Sequence, residues 1–377
     1  MIWLFFIVAA TLLVAYANGA NDNFKGVATL FGAGITDYRK ALTWATVTTF
    51  AGSIAAFFLA EKLIKTFSGK GLVMDSLLTN PAFLTSVILG AGITVLIAAK
   101  TGIPISTTHS LTGTLVGAGF MGVGWNLGFS TLTKNFLIPL LTSPLIAILL
   151  TSIVYLLFHW GRQRLGIQKS TCVCVGANIA PALSLATSRG SLLSAQPSSA
   201  IDIIIDDPSE CEQIAITTYS GRLLGIEIQG LVDGFHFLSA GTVGFARGLN
   251  DTPKIVALSV TAGVLELRWN IFLVALIMAL GGILSARKVA ETMSKKITKM
   301  NHGQGFTANL ITSMLVIFAS GLGMPVSTTH VSCGALFGIG LVGGQARWSI
   351  IVGIISAWIS TLPIAALIAG LSYWMLR

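Results

Sequence analysis

Charge is what this chain has least of. Only 10% of its 377 residues are charged, 14 acids against 23 bases. A soluble domain carries about 25%, so these few charges cannot cover a water-soluble protein of this length. Cysteine is scarce too, with four in all. Cys172 and Cys174 form a C-x-C, Cys211 stands alone, and Cys333 lies in an apolar segment. That is too few and too irregular for a disulfide framework or a zinc site, and a metal role for Cys172 and Cys174 is disfavoured. Polar sequence is also rare: residues 161–221 are the single long polar stretch.

What fills the chain instead is apolar sequence, 54% of all residues, at a mean hydropathy of +0.83. It comes in blocks: residues 2–16, 41–60, 85–99, 132–160, 269–286, 310–318 and 349–374. A helix needs roughly 20 such residues to span a bilayer. The fold class is therefore an all-α polytopic membrane protein, with the lipid bilayer as its surroundings and the cell (inner or plasma) membrane as its expected place. The first block has no basic start and runs into the polar residues 18–22, so it reads as a retained helix rather than a signal peptide. The net charge of +9 does not imply nucleic acid. The bases sit in short segments between apolar blocks, where they set topology.

The two halves repeat one another. Asn21-Asp22-Asn23-Phe24-Lys25 returns as Asn250-Asp251-Thr252-Pro253-Lys254, both N-D-x-x-K, and Gly34 and Gly52 recur at the same offset as Gly263 and Gly281. The longer match is G-I-P-I-S-T-T-H at residues 102–109 against G-M-P-V-S-T-T-H at 323–330. Gly113, Gly117, Gly119 and Gly122 then align with Gly334, Gly338, Gly340 and Gly343. The chain is a duplicated unit, 1–160 and 222–377, joined by a polar linker over 161–221. That linker is expected to be cytoplasmic, with a short strand where hydrophobicity alternates around residues 203–205. Residues 287–302 carry five bases against one acid and are expected on the cytoplasmic side; the matching segment, 61–81, is expected outside. Five crossings per half make the second half enter from the opposite face, the inverted-repeat plan of secondary transporters, built with broken helices and re-entrant half-helices.

Two places carry chemistry. An aspartate between apolar runs, as at Asp22, costs about 2.5–3.5 kcal/mol at the bilayer centre and is a functional-site hypothesis by default. Ala17, Gly19, Ala20 and Gly26 around it suit a helix broken at the dipeptide. Its carboxylate, the Asn21 amide oxygen and freed carbonyls are hard ligands of the kind Na⁺ takes, whereas a proton needs only the carboxylate. The blander alternative is a cap paired with Lys25; duplication at Asn250 and Asp251 argues against it. In the second place, Pro104 and Pro325 lead into Ser106-Thr107-Thr108 and Ser327-Thr328-Thr329, the order of a helix N-terminus. Hydroxyls and free N–H groups at the positive end of a helix bind oxyanions. Two such ends could grip one tetrahedral anion from opposite sides. A single copy reads equally well as an ordinary cap, and the duplication favours function. His109 and His330 end the motifs, either as proton carriers or as core histidines that fix the hairpins. Lys25 and Lys254 either balance Asp22 and Asp251 or assist the anion. Arg247 has no basic counterpart, since Asn18 occupies its offset in the first half. Glu227 and Asp233 fall at the start of the second half's first helix.

G-A-N-D-N at 19–23, G-L-N-D-T-P-K at 248–254 and the two P-x-S-T-T-H segments resemble the inorganic phosphate transporter (PiT) family, over both repeats. The resemblance implies a cation-coupled phosphate importer working by alternating access, most often with Na⁺ and in some members with protons. It implies a cation site at Asn21, Asp22, Asn250 and Asp251, and phosphate binding at Ser106, Thr107, Thr108, Ser327, Thr328 and Thr329. It also implies a homodimer, and no cofactor beyond the coupling ion. A sulfate-carrying branch lacks the N-D pairs that this chain keeps. The residues themselves reach an oxyanion–cation symporter; phosphate comes from the resemblance. The rivals are a proton-coupled or sulfate permease, a passive channel, and an intramembrane enzyme using Ser106 or Ser327 with His109 or His330. The enzyme is disfavoured because no third, orienting acid recurs in both copies.

Overall fold

The structure, a computed structural model, describes residues 2–164, 172–177, 201–206, 226–297, 302–344 and 346–377. Among them, five long helices stand in each half. The first half has α1 (Ile2–Asp22), α2 (Tyr38–Leu59), α3 (Pro81–Thr101), α4 (Thr107–Val123) and α5 (Phe129–Arg164). The second has α6 (Ile228–Thr261), α7 (Leu267–Ser285), α8 (His302–Leu322), α9 (Thr328–Val342) and α10 (Trp348–Leu376). Seven are long and apolar enough to cross a membrane. The other three are the two short helices that follow the S-T-T-H motifs' first serines, α4 and α9, and α6, which carries Arg247, Asp251 and Lys254.

The repeat seen in the sequence is also a repeat of backbone. Gly34 and Gly263 have φ of +77° and +65°, and Gly102 and Gly323 have +76° and +75°. In both later copies the left-handed glycine ends one helix, α3 or α8, so that the chain can turn into the extended Pro104 or Pro325 segment. Ser106 and Ser327 then cap α4 and α9, each hydroxyl accepting from the histidine amide three residues on, at 3.1 Å.

The halves interlock through matched glycines. A Cβ at Gly19 on α1 would lie 2.0 Å from the Met278 carbonyl oxygen of α7, and one at Gly281 would lie 2.1 Å from that of Tyr16. The equivalent pair does the same: Gly248 on α6 meets the Thr49 carbonyl at 2.1 Å, and Gly52 on α2 meets that of Phe245 at 2.0 Å. Each N-D helix is thus pressed against the second helix of the other half, a contact only glycine allows.

The halves differ at one point. A break at the dipeptide was expected, and α1 does end at Asp22, followed by a turn over residues 23–27 and a short helix, Ala28–Gly32. In the second half α6 runs unbroken through Asn250 and Asp251, with Pro253 inside. One difference that favours this lies four residues after each Asp. Gly26, a poor helix former, packs 2.9 Å (as Cβ) from the Gly244 amide; at the same offset the second copy has Ile255, which sustains the helix.

The chain divides into two compact units, Met1–Leu156 with His236–Arg377, and Leu157–Phe235. The second, somewhat wider than the 161–221 linker, holds a small antiparallel sheet of order β2-β1-β3: β1 (Cys172–Ala177), β2 (Ile201–Asp206) and β3 (Ile226–Glu227). Cys172 pairs with Asp206 and Ala177 with Ile201. The strand expected around 203–205 is β2. Glu227 lies in β3, one residue before α6, rather than in the helix; Asp233 is in the helix. Cys211 and most of the linker lie outside the described residues, as do the side chains of Cys172 and Cys174.

Candidate functional site

Both N-D motifs and both S-T-T segments come together in one buried cluster. Asp22, Lys25, Arg247, Asp251 and Lys254 are each 4% exposed or less. Charges so deep are tolerable only when paired and hydrogen-bonded, and these are. Lys25 is ion-paired with Asp22. Asp251 has Lys254 Nζ at 3.5 Å and Arg247 Nε at 3.6 Å.

The contacts swap between halves in a reciprocal pattern. Lys25 Nζ donates to the Thr329 hydroxyl and, at 3.0 Å, to the Ile105 carbonyl. Its counterpart Lys254 donates to the Thr108 hydroxyl and the Val326 carbonyl, both at 2.7 Å. Thr108 donates onward to Val326 O at 3.2 Å, and Thr329 to Ile105 O at 2.7 Å. Since each hydroxyl spends its proton on a carbonyl, its oxygen accepts from the lysine. Each ammonium of one half therefore holds the start of the other half's S-T-T helix.

The predicted residues divide by what they touch. Asn21 clamps the extended segment before α4: its Nδ2 donates to Ile103 O at 2.9 Å and its Oδ1 accepts from the Ile105 amide at 3.2 Å. Asn250 does likewise, donating to Val326 O at 3.2 Å and accepting from Ser320 Oγ at 3.0 Å. Ser106 and Ser327 are the caps described above. The Thr107 hydroxyl donates to Asp22 Oδ2 at 3.3 Å and so belongs to the carboxylate cluster. Thr328, its counterpart, has no hydrogen-bond partner for its hydroxyl among the described residues and is 6% exposed. By helix geometry the first amides of α4 and α9 also lack helical partners.

His109 and His330 meet each other, ring centroids 4.3 Å apart, and His330 stacks on Trp358 at 3.9 Å. Both line an apolar cavity of about 380 Å³ with Leu140, Pro144 and Ile355. These contacts are those of packed rings at the helix crossing. The Ser106 oxygen bonds the backbone of His109, not its ring.

Two residues of the cluster were not assigned from sequence. Asn18 Nδ2 lies within hydrogen-bond distance of Asp22 Oδ2 (3.0 Å), Thr107 Oγ1 (2.9 Å) and Asp251 Oδ2 (3.2 Å), bridging both carboxylates. Arg247 donates to Asn18, through the main-chain oxygen at 3.2 Å and the side-chain oxygen. Their equal offset was the available signal: equivalent positions meet where the halves cross, as the two histidines also do. No group of three or more His, Cys, Asp or Glu suited to a metal ion occurs among the described residues.

A polar cavity adjoins the C-terminal end of each N-D region. One, of about 740 Å³, is lined by Lys65, Lys70 and Asp75 with Val260 and Thr261 of α6. The other, of about 390 Å³, is lined by Asp37, Arg39, Arg287, Glu291 and Lys295 with Phe31. Phe31 and Val260 stand at equivalent offsets of the repeat.

Comparison with known sequences matches residues 18–369 to the phosphate transporter family. The chain belongs to the phosphate transporter family. As a member of it, the protein is a multi-pass membrane protein that transports phosphate, and not an enzyme. It is 28% identical over 411 residues to a Thermococcus kodakarensis protein named "Putative phosphate permease", covering 99% of this chain and 98% of that one. It is 26% identical over 428 residues to a chloroplastic inorganic phosphate transporter of Arabidopsis thaliana, covering 97% and 71%. A solved sodium-dependent phosphate transporter shares the fold, with a TM-score of 0.74 at 21% identity over 100% of this chain and 99% of that one.

Proposed function

We propose that this phosphate transporter family member is a secondary transporter that moves inorganic phosphate with Na⁺ by alternating access. One observation carries the reading: two buried carboxylates, Asp22 and Asp251, share the single Asn18 amide and adjoin two helix N-termini. A cation held at the carboxylates and an anion held at the Thr107, Thr108, Thr328 and Thr329 helix ends stabilise each other across a few ångströms of low-dielectric interior. Each is then poorly bound alone, which is the condition for coupling. Ser106 and Ser327 shape the helix ends, Asn21 and Asn250 hold the loops, and Lys25 and Lys254 each tie a carboxylate and the loop of its own half to the first turn of the opposite half's S-T-T helix. The sodium dependence named for the solved relative agrees with this.

The deciding experiment is radiolabelled phosphate uptake into proteoliposomes under an inward sodium gradient, a proton gradient, or neither. Sodium alone should drive accumulation above equilibrium, and excess sulfate should leave it unchanged. Accumulation driven by protons alone, or equal displacement by sulfate, would replace this reading with the corresponding permease.

The two polar cavities serve in this account as entrances on opposite faces, with the halves inverted. The five helices per half and the reciprocal contacts support that arrangement. Cysteines introduced at Lys70 and Asp75 should label from outside with an impermeant thiol reagent, and ones at Lys288 and Lys295 from inside. Labelling of both sets from one face would make the repeats parallel.

A further inference from the structure

We propose that Arg247 is a built-in cation standing in for one coupling ion, so that the transporter moves a single Na⁺ per phosphate although it carries two N-D motifs. The proposal rests on the sodium–phosphate reading above and concerns how many ions that site takes.

Two N-D pairs on two repeats suggest two equivalent cation sites. The geometry makes them unequal. Around Arg247 the guanidinium is surrounded by oxygens of the kind an alkali cation takes. They are the Asn18 main-chain and side-chain oxygens, Asn23 Oδ1 at 3.1 Å, Thr49 Oγ1 at 3.3 Å and Asp251 Oδ2 at 3.6 Å. These come from a carbonyl, two amides, a hydroxyl and a carboxylate, contributed by α1, the turn after it, α2 and α6. A guanidinium stays protonated in proteins, so this cage holds a positive charge throughout the cycle. At the equivalent position of the first half stands Asn18, which is neutral and turns its amide N–H groups towards both carboxylates. Asp22 has no arginine one turn before it.

For doubly charged phosphate, charge balance leads to the same count. Lys25, Arg247 and Lys254 oppose Asp22 and Asp251, three cations against two anions. Each ammonium is hydrogen-bonded to oxygen acceptors: Asn21 Oδ1, Asp22, Ile105 O and Thr329 for Lys25, and Thr108, Asp251 and Val326 O for Lys254, which also lies 5.8 Å over the Phe67 ring. The empty cluster therefore carries one net positive charge. Doubly charged phosphate with one Na⁺ brings it to neutrality. A second Na⁺ would leave an unpaired charge in the membrane interior, where such a charge is costly. Replacing Arg247 by a neutral side chain empties the cage, restores a need for one cation, and leaves the Asp251 oxygen to bind it.

The test is the ratio of ²²Na to ³²P initial fluxes in proteoliposomes, measured on the full-length protein. The unaltered transporter should give a ratio of about one, and Arg247→Gln should raise it roughly twofold, with a steeper dependence of uptake on sodium. Arg247→Lys, which keeps the charge, should hold the ratio at that of the unaltered protein. A ratio of two in the unaltered protein overturns the proposal whether or not the variants fold, and so does an unchanged ratio in a folded Arg247→Gln. Uptake indifferent to sodium would be recognisably different: it removes the sodium reading itself, and this proposal with it.

Discussion

Asp22→Asn should abolish sodium-stimulated phosphate uptake, and it should also destabilise the protein. The carboxylate is the ion-pair partner of Lys25 at a site where both side chains are 2% exposed or less. Removing one member of such a pair leaves the other charge buried and unbalanced, at a cost of about 3–5 kcal/mol. Loss of uptake alone could then mean loss of fold. The double variant Asp22→Asn, Lys25→Met separates the two effects. It removes both charges, so most of the stability should return, read as the melting temperature of purified protein in detergent. Uptake should stay abolished, because the carboxylate that attracts the cation is still missing. Asp251→Asn should behave like the single variant, more severely, since Arg247 and Lys254 both lean on that carboxylate. A double variant with recovered stability and normal sodium-driven uptake would remove Asp22 from the cation site.

The second large effect belongs to the anion. The Thr328 hydroxyl is uncommitted, while the hydroxyl of its repeat partner Thr107 is bonded to Asn18 and Asp22. A hydrogen bond to a charged group is worth roughly 1.5–3 kcal/mol net. Thr328→Val keeps shape and removes only the hydroxyl, so the half-saturation for phosphate should rise by about tenfold to a hundredfold. Sodium dependence should be retained at saturating phosphate. Thr107→Val should weaken sodium and phosphate dependence together, because its hydroxyl touches the carboxylate. Equal half-saturation for phosphate in Thr328→Val and the unaltered protein would move the anion away from the start of α9.

Much of this site was legible before any fold was known, because its parts are short, local and present twice. N-D-x-x-K and P-x-S-T-T-H each sit at a helix end whose residue types announce it, and the repeat itself implied that the copies meet. What could not be read depends on how the halves interlock. Asn21 and Asn250 look like cation ligands in sequence, and their amide N–H groups also bind the segments before α4 and α9, a contact made some 80 residues away in one half. Ser106 and Ser327 look like anion donors, and they also cap their own helices by accepting the His109 and His330 amides, a bond that leaves each hydroxyl proton to donate. Arg247 and Asn18 share an offset but differ in identity, so the sequence marks the position without a role for it, and only the crossing of α1 and α6 makes them neighbours. The unbroken α6 goes with the exchange of Gly26 for Ile255, one of several differences between the copies there. In the linker the alternating strand at Ile201–Asp206 was visible, whereas its partner Cys172–Ala177 has no such pattern.

At the centre of the account is one claim: a cation and a phosphate occupy a single cluster and bind interdependently. Equilibrium phosphate binding to the purified protein, titrated in sodium and again in choline at equal ionic strength, tests it most directly. Sodium should tighten phosphate binding, and phosphate should tighten sodium binding by the same factor, as linkage requires of two ligands sharing one site's free energy. A phosphate affinity that is the same in sodium and in choline would contradict the account.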